Sequence, residues 1–326
     1  MHHLSSQHPV HNLFRLALAA LIAFSSLLSG CVTGNAPKPQ PYLREQGDFF
    51  MQAGIESYTQ YNFALATEQF TQAKNFYSRF DDYLGTTNAF LNLAQVQLAS
   101  GKFDAAKDNL ARADLLIRQH DLKQQAIYRD MLLTTLYLST ENMAEAEKIF
   151  AEYDQILRGN LADDATMALL VNRVRMAQLT DQDFSLWVDL LAQQTNKHNN
   201  VQLNARLQRF KAWQAFVSTD ATLGNQLFAA VLESYRHQAN PTGLMSTRLE
   251  WAQACSQSND WPHAAEHYEQ ALHLAMSNNH VNNGLLALNG LQFVYQQTGQ
   301  SDKQRQVDEW MKQLKTSPAG NGDANE

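Results

Sequence analysis

Residues that interrupt helices are scarce in this sequence. Glycine and proline account for only 14 and 7 of its 326 residues, and β-branched residues do not form runs. This shortage argues against a β structure and predicts long, uninterrupted helices. Basic residues are not in excess either: the formal net charge is −7, which disfavours nucleic acid as a partner. Apolar residues nevertheless make up 44% of the chain, enough for a substantial folded core.

Cysteine is nearly absent from the sequence, which contains only Cys31 and Cys255. The sequence before Cys31 indicates a role for it other than a disulfide. Residues 16–28 are apolar apart from two serines. This run is too short to span a membrane and fits the hydrophobic core of a signal peptide. Cys255 then remains as a lone thiol, which we expect to lie buried in a helix as a small apolar residue.

The apolar run ends in Leu28-Ser29-Gly30-Cys31, which resembles the cleavage box of bacterial lipoproteins. The resemblance implies that residues 1–30 are a signal peptide and that Cys31 becomes the lipid-bearing N-terminus. Residues 31–42 would then be the lipidated cysteine and a proline-rich linker. Val32 is not the Asp that retains enterobacterial lipoproteins at the inner membrane. We therefore expect an outer-membrane protein facing the periplasm, with the periplasmic face of the inner membrane as the alternative. A cleaved signal with a coincidental cysteine is the other interpretation.

A four-residue apolar stripe recurs along the chain at intervals of about 40 residues. Its members are spaced by three, four and three positions, which places them on one face of a helix. In each unit a turn and a preceding helical pattern come before the stripe. The residues that we expect to pack the units together are Phe63, Ala66, Phe70, Ala73, Phe103, Ala106, Leu110, Ala113, Ala146, Phe150, Trp261, Ala264, Tyr268 and Ala271.

This layout resembles the tetratricopeptide repeat, and with Cys31 it resembles the tetratricopeptide lipoproteins of the Gram-negative envelope. The resemblance implies an all-α solenoid of helix–turn–helix units, wound into a right-handed superhelix of about seven units over residues 43–315. Small residues allow the two helices of a unit to approach closely, and aromatic residues fill the space between units. Whether residues 160–200 form a true repeat stays open. Residues 316–326 are a polar tail, which we expect to be disordered.

Two further observations bear on the helical reading. A heptad coiled coil is the other all-helical possibility, but turn signals recur about every twenty residues and argue against it. Asn62, Asn142 and Asp260 each precede a stripe by one residue, so we expect them to cap the following helices.

One segment matches a catalytic motif. His263-Ala-Ala-Glu-His267 has the H-x-x-E-H pattern in which two histidines hold zinc and a glutamate activates water. The stripe residues Ala264 and Tyr268 carry the packing, so we expect both histidines on a more exposed face, with no third ligand. Motifs for binding nucleotides or for a nucleophilic serine are missing. The sequence therefore predicts a protein that is not an enzyme, with no metal and no cofactor besides the lipid on Cys31.

In the tetratricopeptide family, the first helix of each unit lines a concave groove that contacts ligands. By position, the candidate groove residues are Met51, Ile55, Tyr58, Asn88, Leu91, Gln95, Tyr128, Met131 and Thr135. Amide and apolar side chains of this kind suit an extended peptide or a partner helix. Some of them could instead pack internally.

The sequence thus predicts an anchored periplasmic scaffold that binds periplasmic or outer-membrane proteins through its groove. The resemblance points to envelope assembly: barrel assembly, pilus or secretion assembly, or control of peptidoglycan enzymes. The alternative is a cell-wall or polysaccharide-acting enzyme or carrier whose tryptophans stack sugars. Exposure of Trp187, Trp213, Trp251 and Trp261 in one groove would favour that alternative, and burial would argue against it.

Overall fold

Helices are the only regular secondary structure in the described part of the chain. A computed structural model describes residues 41–316 except 160, 162, 181, 199, 219 and 279. The predicted signal peptide, Cys31, most of the linker and nearly all of the polar tail lie outside the described residues. Within those residues, no helix combines the length and apolar character needed to cross a bilayer.

Fourteen helices in the described residues follow one another as seven pairs. In each pair, an odd-numbered helix is the first helix of a unit and an even-numbered helix is the second. The pairs are α1 (Pro41–Thr59) and α2 (Phe63–Ser78), α3 (Tyr83–Ala99) and α4 (Phe103–His120), α5 (Lys123–Ser139) and α6 (Met143–Leu157), α7 (Asp164–Leu179) and α8 (Ser185–His198), α9 (Val201–Val217) and α10 (Ala221–His237), α11 (Pro241–Gln257) and α12 (Trp261–Ser277), and α13 (Val281–Gln297) and α14 (Ser301–Thr316).

Residues 160–200, which the sequence left open as a repeat, contain a helix pair like the others. Helices α7 and α8 occupy residues 164–198 and continue the series. Leu191 is fully buried, and Trp187 and Val188 are almost so. Large apolar residues therefore fill the space that alanine and phenylalanine fill in the clearer units, and the fold survives the loss of the sequence pattern.

The apolar stripes lie where the helices of a unit meet. The alanines of the stripes are completely buried, which lets the helix backbones approach closely. Phe70, Leu110, Phe150 and Tyr268 are also buried between neighbouring helices. Each stripe begins with a half-buried residue, for example Phe103, because that residue is the first of its helix and borders the turn.

Tight turns join the helices, and only some of the expected caps form. The side chain of Asn62 accepts a hydrogen bond from the Leu65 amide at 3.3 Å. Asn142 and Asp260 occupy the capping position but accept no such bond, so that prediction was wrong for them. The carboxylate of Asp260 instead contacts the ring of His263 at 2.8 Å.

The array curves until its seventh unit meets its first two. The side-chain amide of Asn282, at the start of α13, donates a 2.6 Å hydrogen bond to the carbonyl of Gly101 in the α3–α4 turn. The rings of Phe63 and His280 lie edge to face, 5.6 Å apart between centroids. We refer to these two contacts as the closure contacts. They show that the start of the seventh unit lies against the first and second units.

Candidate functional site

Two of the nine predicted groove residues are packed in the core. Leu91 has no exposed surface and Met131 is only 8% exposed. Both belong to the large apolar cluster that runs through the array. The prediction that they contact a partner is therefore corrected: neighbouring helices cover their side chains.

Polar groove residues bind to one another between successive odd-numbered helices. The hydroxyl of Tyr128 donates to Gln95 Oε1 at 2.7 Å. The side-chain amide of Gln125 donates to Asn88 Oδ1 at 3.2 Å. These bonds tie α5 to α3 along the inner face. The side chains predicted to recognise a ligand are thus half-buried and also hold the repeats in register.

The same ladder continues on both sides of α3 and α5. Asn172 of α7 donates to the hydroxyl of Thr135 at 2.9 Å and to the carbonyl of Met131 at 3.1 Å. Toward the start of the chain, Asn92 of α3 donates to the sulfur of Met51 at 3.1 Å. The inner wall therefore carries a continuous polar seam over its first four units.

Ile55 and Tyr58 are predicted groove residues on α1, the first helix of the array. Ile55 is 40% exposed. Tyr58 is half-buried, and its burial raises the pKa of its phenol. Tyr58 also lies within electrostatic range of Arg206, which belongs to α9. The first and fifth units are therefore close to each other at this point.

A buried ion cluster joins three adjacent odd-numbered helices. Glu250 of α11 accepts hydrogen bonds from Arg175 of α7 at 2.7 Å and from Nε of Arg209 of α9 at 2.8 Å. Burial favours the neutral form of the Glu250 carboxyl group and so raises its pKa. The two neighbouring guanidinium groups have the larger, opposite effect and hold the pKa of Glu250 below its usual value. The carboxylate is thus ionised and fully paired in the folded chain.

Sequence reasoning missed three arginines of the odd-numbered helices, Arg175, Arg206 and Arg209. The spacing of groove positions within a unit could have identified two of them. Arg206 follows the capping residue Asn200 by the same interval at which Asn88 follows Asp82. Arg209 follows Asn200 as Leu91 follows Asp82. Extending the groove positions from the second unit to the fifth would therefore have found both. Arg175 and Glu250 lie off that register, and only the packing of α7 and α11 against α9 brings them together.

The two histidines of the H-x-x-E-H segment lie in different surroundings. His267 is buried, contrary to the prediction that it lies on an exposed face. Its ring lies 4.1 Å from Trp251, and its Nδ1 lies 2.9 Å from a guanidinium nitrogen of Arg248. Burial, assisted by Arg248, lowers the pKa of His267 to about 4. His263 is exposed and bound to Asp260. Among the described residues, no group of three or more potential metal ligands comes together.

The tryptophans are used in packing. Trp187 and Trp213 are buried. Trp251 is half-buried, donates to Asn225 Oδ1 at 2.7 Å and stacks on Phe228 at 5.5 Å. Trp261 is half-buried and meets Phe293 edge to face. The four indoles do not share a groove, so they give no support to a saccharide site.

Cys255 is a free and buried cysteine, as the sequence indicated. Burial raises the pKa of its thiol to about 12. A thiol of this kind stays protonated near neutral pH and is a poor nucleophile. Its contribution is to pack α11 within the array.

Comparison with known proteins agrees with this architecture. A family model described as "Tetratricopeptide repeat" matches residues 250–281, which include all of α12. A search of the curated proteins found no match. Among solved structures, the chain is similar to the crystal structure of a Rap protein complexed with Competence and Sporulation Factor. The TM-score is 0.64 at 12% identity, over 83% of this chain and 75% of that one.

A signal-transduction ATPase with numerous domains and a tetratricopeptide repeat sensor, from Pyrococcus horikoshii, is also similar in part. The TM-score is 0.44 at 12% identity, over 84% of this chain and 47% of that one. The likeness to the Rap protein shows that the chain has the fold of an all-α helical-repeat solenoid, and one segment of it, residues 250–281, matches a tetratricopeptide repeat.

Proposed function

We propose that this chain is a non-catalytic scaffold that binds protein partners. A partner segment lies along the inner face formed by the odd-numbered helices. The observation that carries the proposal is the curvature of the array, which brings the seventh unit into contact with the first two. Side chains of several units can therefore contact one extended segment at the same time. The Rap protein of similar fold is itself complexed with a factor, which supports this use of the architecture.

The inner face provides two kinds of contact for such a segment. Ile55 and Tyr58 offer apolar and aromatic surface on one side, and Arg206 is exposed on the other. The polar seam between them presents half-buried amides and hydroxyls, such as Gln95 and Tyr128. Groups of this type can accept or donate hydrogen bonds to an extended peptide backbone. The fit is to a polypeptide segment rather than to a small apolar ligand.

We further propose that the scaffold is held at the outer membrane by lipid on Cys31 and faces the periplasm. The support is the apolar run of residues 16–28 followed by Leu28-Ser29-Gly30-Cys31. Several acyl chains anchor a protein stably, whereas one chain alone binds reversibly. A linker as short as residues 31–42 keeps the array close to the membrane. Envelope assembly is the process that this placement favours.

Charge substitution on the inner face tests the scaffold proposal. Ile55→Glu puts a carboxylate on the exposed inner surface, and Leu115→Glu puts one on the outer helix α4, where Leu115 is 57% exposed. We expect recovery of co-purifying partners from native membranes to fall with Ile55→Glu and to stay unchanged with Leu115→Glu. Equal recovery with both variants, or loss only with Leu115→Glu, would contradict an inner-face site.

A further inference from the structure

Two positions of each odd-numbered helix face the next unit of the array. In α3 they are Asn88 and Gln95, which lie 6 and 13 residues after the capping residue Asp82. The side chain of Asn88 binds Gln125 of α5, and that of Gln95 binds Tyr128 of α5. These two positions therefore belong to the interface that joins one odd-numbered helix to the next, rather than to a free inner surface.

The same two positions are apolar and uncovered on α13. They are Leu286 and Phe293, which lie 6 and 13 residues after His280 at the capping position. Leu286 is 56% exposed and Phe293 is 46% exposed. In the fourth unit these positions hold Leu169 and Met176, and both are buried. Apolar side chains at these positions are thus covered where further units follow, whereas the described residues contain no helix after α14.

We refer to Leu286, Asn289 and Phe293 as the end stripe. Its members are spaced by three and four residues, so they share one face of α13 over two turns. All three are exposed, and Asn289 offers an amide between the two apolar side chains. The ring of Phe293 packs edge to face on Trp261, with 5.9 Å between the ring centroids. Because α13 contains no charged residue, the end stripe suits an uncharged, apolar surface of the same helical spacing.

The first helix of a second copy is a poor match for the end stripe. α1 is the opposite end of the array, and Glu45, Asp48 and Glu56 are exposed on it beside Phe49. A head-to-tail contact would bring these carboxylates against α13, which offers them no cation. Burying an unpaired carboxylate costs free energy, so we do not expect copies of the chain to associate in this way.

We infer that the end stripe binds an amphipathic helix of a partner protein, which lies beside α13 as α5 lies beside α3. The end stripe continues the interface between odd-numbered helices, and in that interface the covering element is a helix. The bound helix presents apolar residues at intervals of three and four, which pack on Leu286 and Phe293. This surface is additional to the inner-face site of the proposed function and takes a helix rather than an extended segment.

Binding of alanine-rich helical peptides to the full chain tests the inference by fluorescence anisotropy. One peptide library carries varied apolar residues on a single helix face, and a second library has the same composition with those residues spread around the helix. We expect peptides of the first library to bind and those of the second to bind weakly or not at all. Equal binding of both libraries, or binding of neither, would overturn the end stripe as a helix site and leave the inner-face proposal standing.

Paired substitutions then locate the bound peptide. Leu286→Gln together with Phe293→Gln should weaken binding by about tenfold for each side chain, since each is already half covered by the fold. Leu84→Gln together with Ile156→Gln is the matched control, because those side chains are exposed to a similar extent elsewhere, and should bind like the wild type. Unchanged binding by the end-stripe variant, or equal loss in the control, would overturn the assignment.

Two further measurements separate the end stripe from the other possible sites. Ile55→Glu on the inner face should bind the helical peptides like the wild type, and loss of binding there would place them on the inner face instead. Sedimentation of the full chain without peptide should give the same association state for the wild type and the end-stripe variant. An oligomer that dissociates in that variant would assign the end stripe to a second copy and overturn the partner helix.

Discussion

Replacing Gly101 by alanine tests the closure contacts. Gly101 has a φ of 74°, in the left-handed region. An alanine there is strained by about 1 kcal/mol. Its Cβ would also occupy the position of the Asn282 side-chain amide. Asn282 must then rotate away and lose its hydrogen bond to the carbonyl of Gly101, which removes about 1 kcal/mol more. We therefore expect the free energy of unfolding to fall by roughly 2 kcal/mol.

Gly299 provides a matched control for the backbone strain that an alanine with positive φ causes. Its φ is 68°, and a Cβ there would meet nothing within 4 Å. Gly299→Ala should therefore lower the free energy of unfolding by only about 1 kcal/mol. Urea unfolding measures both losses, and small-angle X-ray scattering should show a larger radius of gyration for Gly101→Ala alone. Adding Asn282→Ala to Gly101→Ala should remove little further stability, because the contact is already lost. Equal losses for the two glycine variants, with unchanged radii, would refute the closure.

Three further predictions concern packing, pH and anchoring. Ala106→Trp should lower the free energy of unfolding by about 3 kcal/mol or prevent folding, because Ala106 is fully buried between helices. Ala111 is exposed, so Ala111→Trp should unfold at a urea concentration close to that of the wild type. The pKa of His267 is lowered to about 4, so the unfolded chain takes up the proton first as pH falls below 6.5. The stability advantage of wild type over His267→Gln should therefore shrink by about 2 kcal/mol between pH 7 and pH 5, and a constant difference in urea titrations would contradict this. Cys31→Ser should abolish labelling by an alkyne fatty acid and release the protein from membranes. Cys255→Ser should keep both the label and the membrane attachment. Retained label in Cys31→Ser would exclude the proposed anchor.

The repeat architecture was predictable because its physical cause lies within each unit. Two helices can pack closely only where small residues face each other, so Ala66, Ala106, Ala146 and Ala264 recur at a fixed period. That local requirement is visible in one sequence. It weakens in the unit of α7 and α8, where bulky residues such as Trp187 fill the same space, and there the sequence left the assignment open.

The inner face was less predictable because it depends on contacts between distant units. Leu91 and Met131 occupy groove positions in the repeat, yet neighbouring helices bury them. His267 is buried because α11 places Arg248 and Trp251 against its ring. The closure contacts follow from the curvature of the whole array, which is the sum of small rotations between units. No local pattern encodes that sum.

Site-specific photo-crosslinking in living cells tests the central claim most directly. A photoreactive phenylalanine analogue replaces Ile55 on the inner face in one variant and Leu115 on the outer face in another. Both positions are exposed in the free chain, so each is available to a partner that binds there. The account predicts protein adducts from position 55 and few or none from position 115. Adducts from position 115 alone would contradict it.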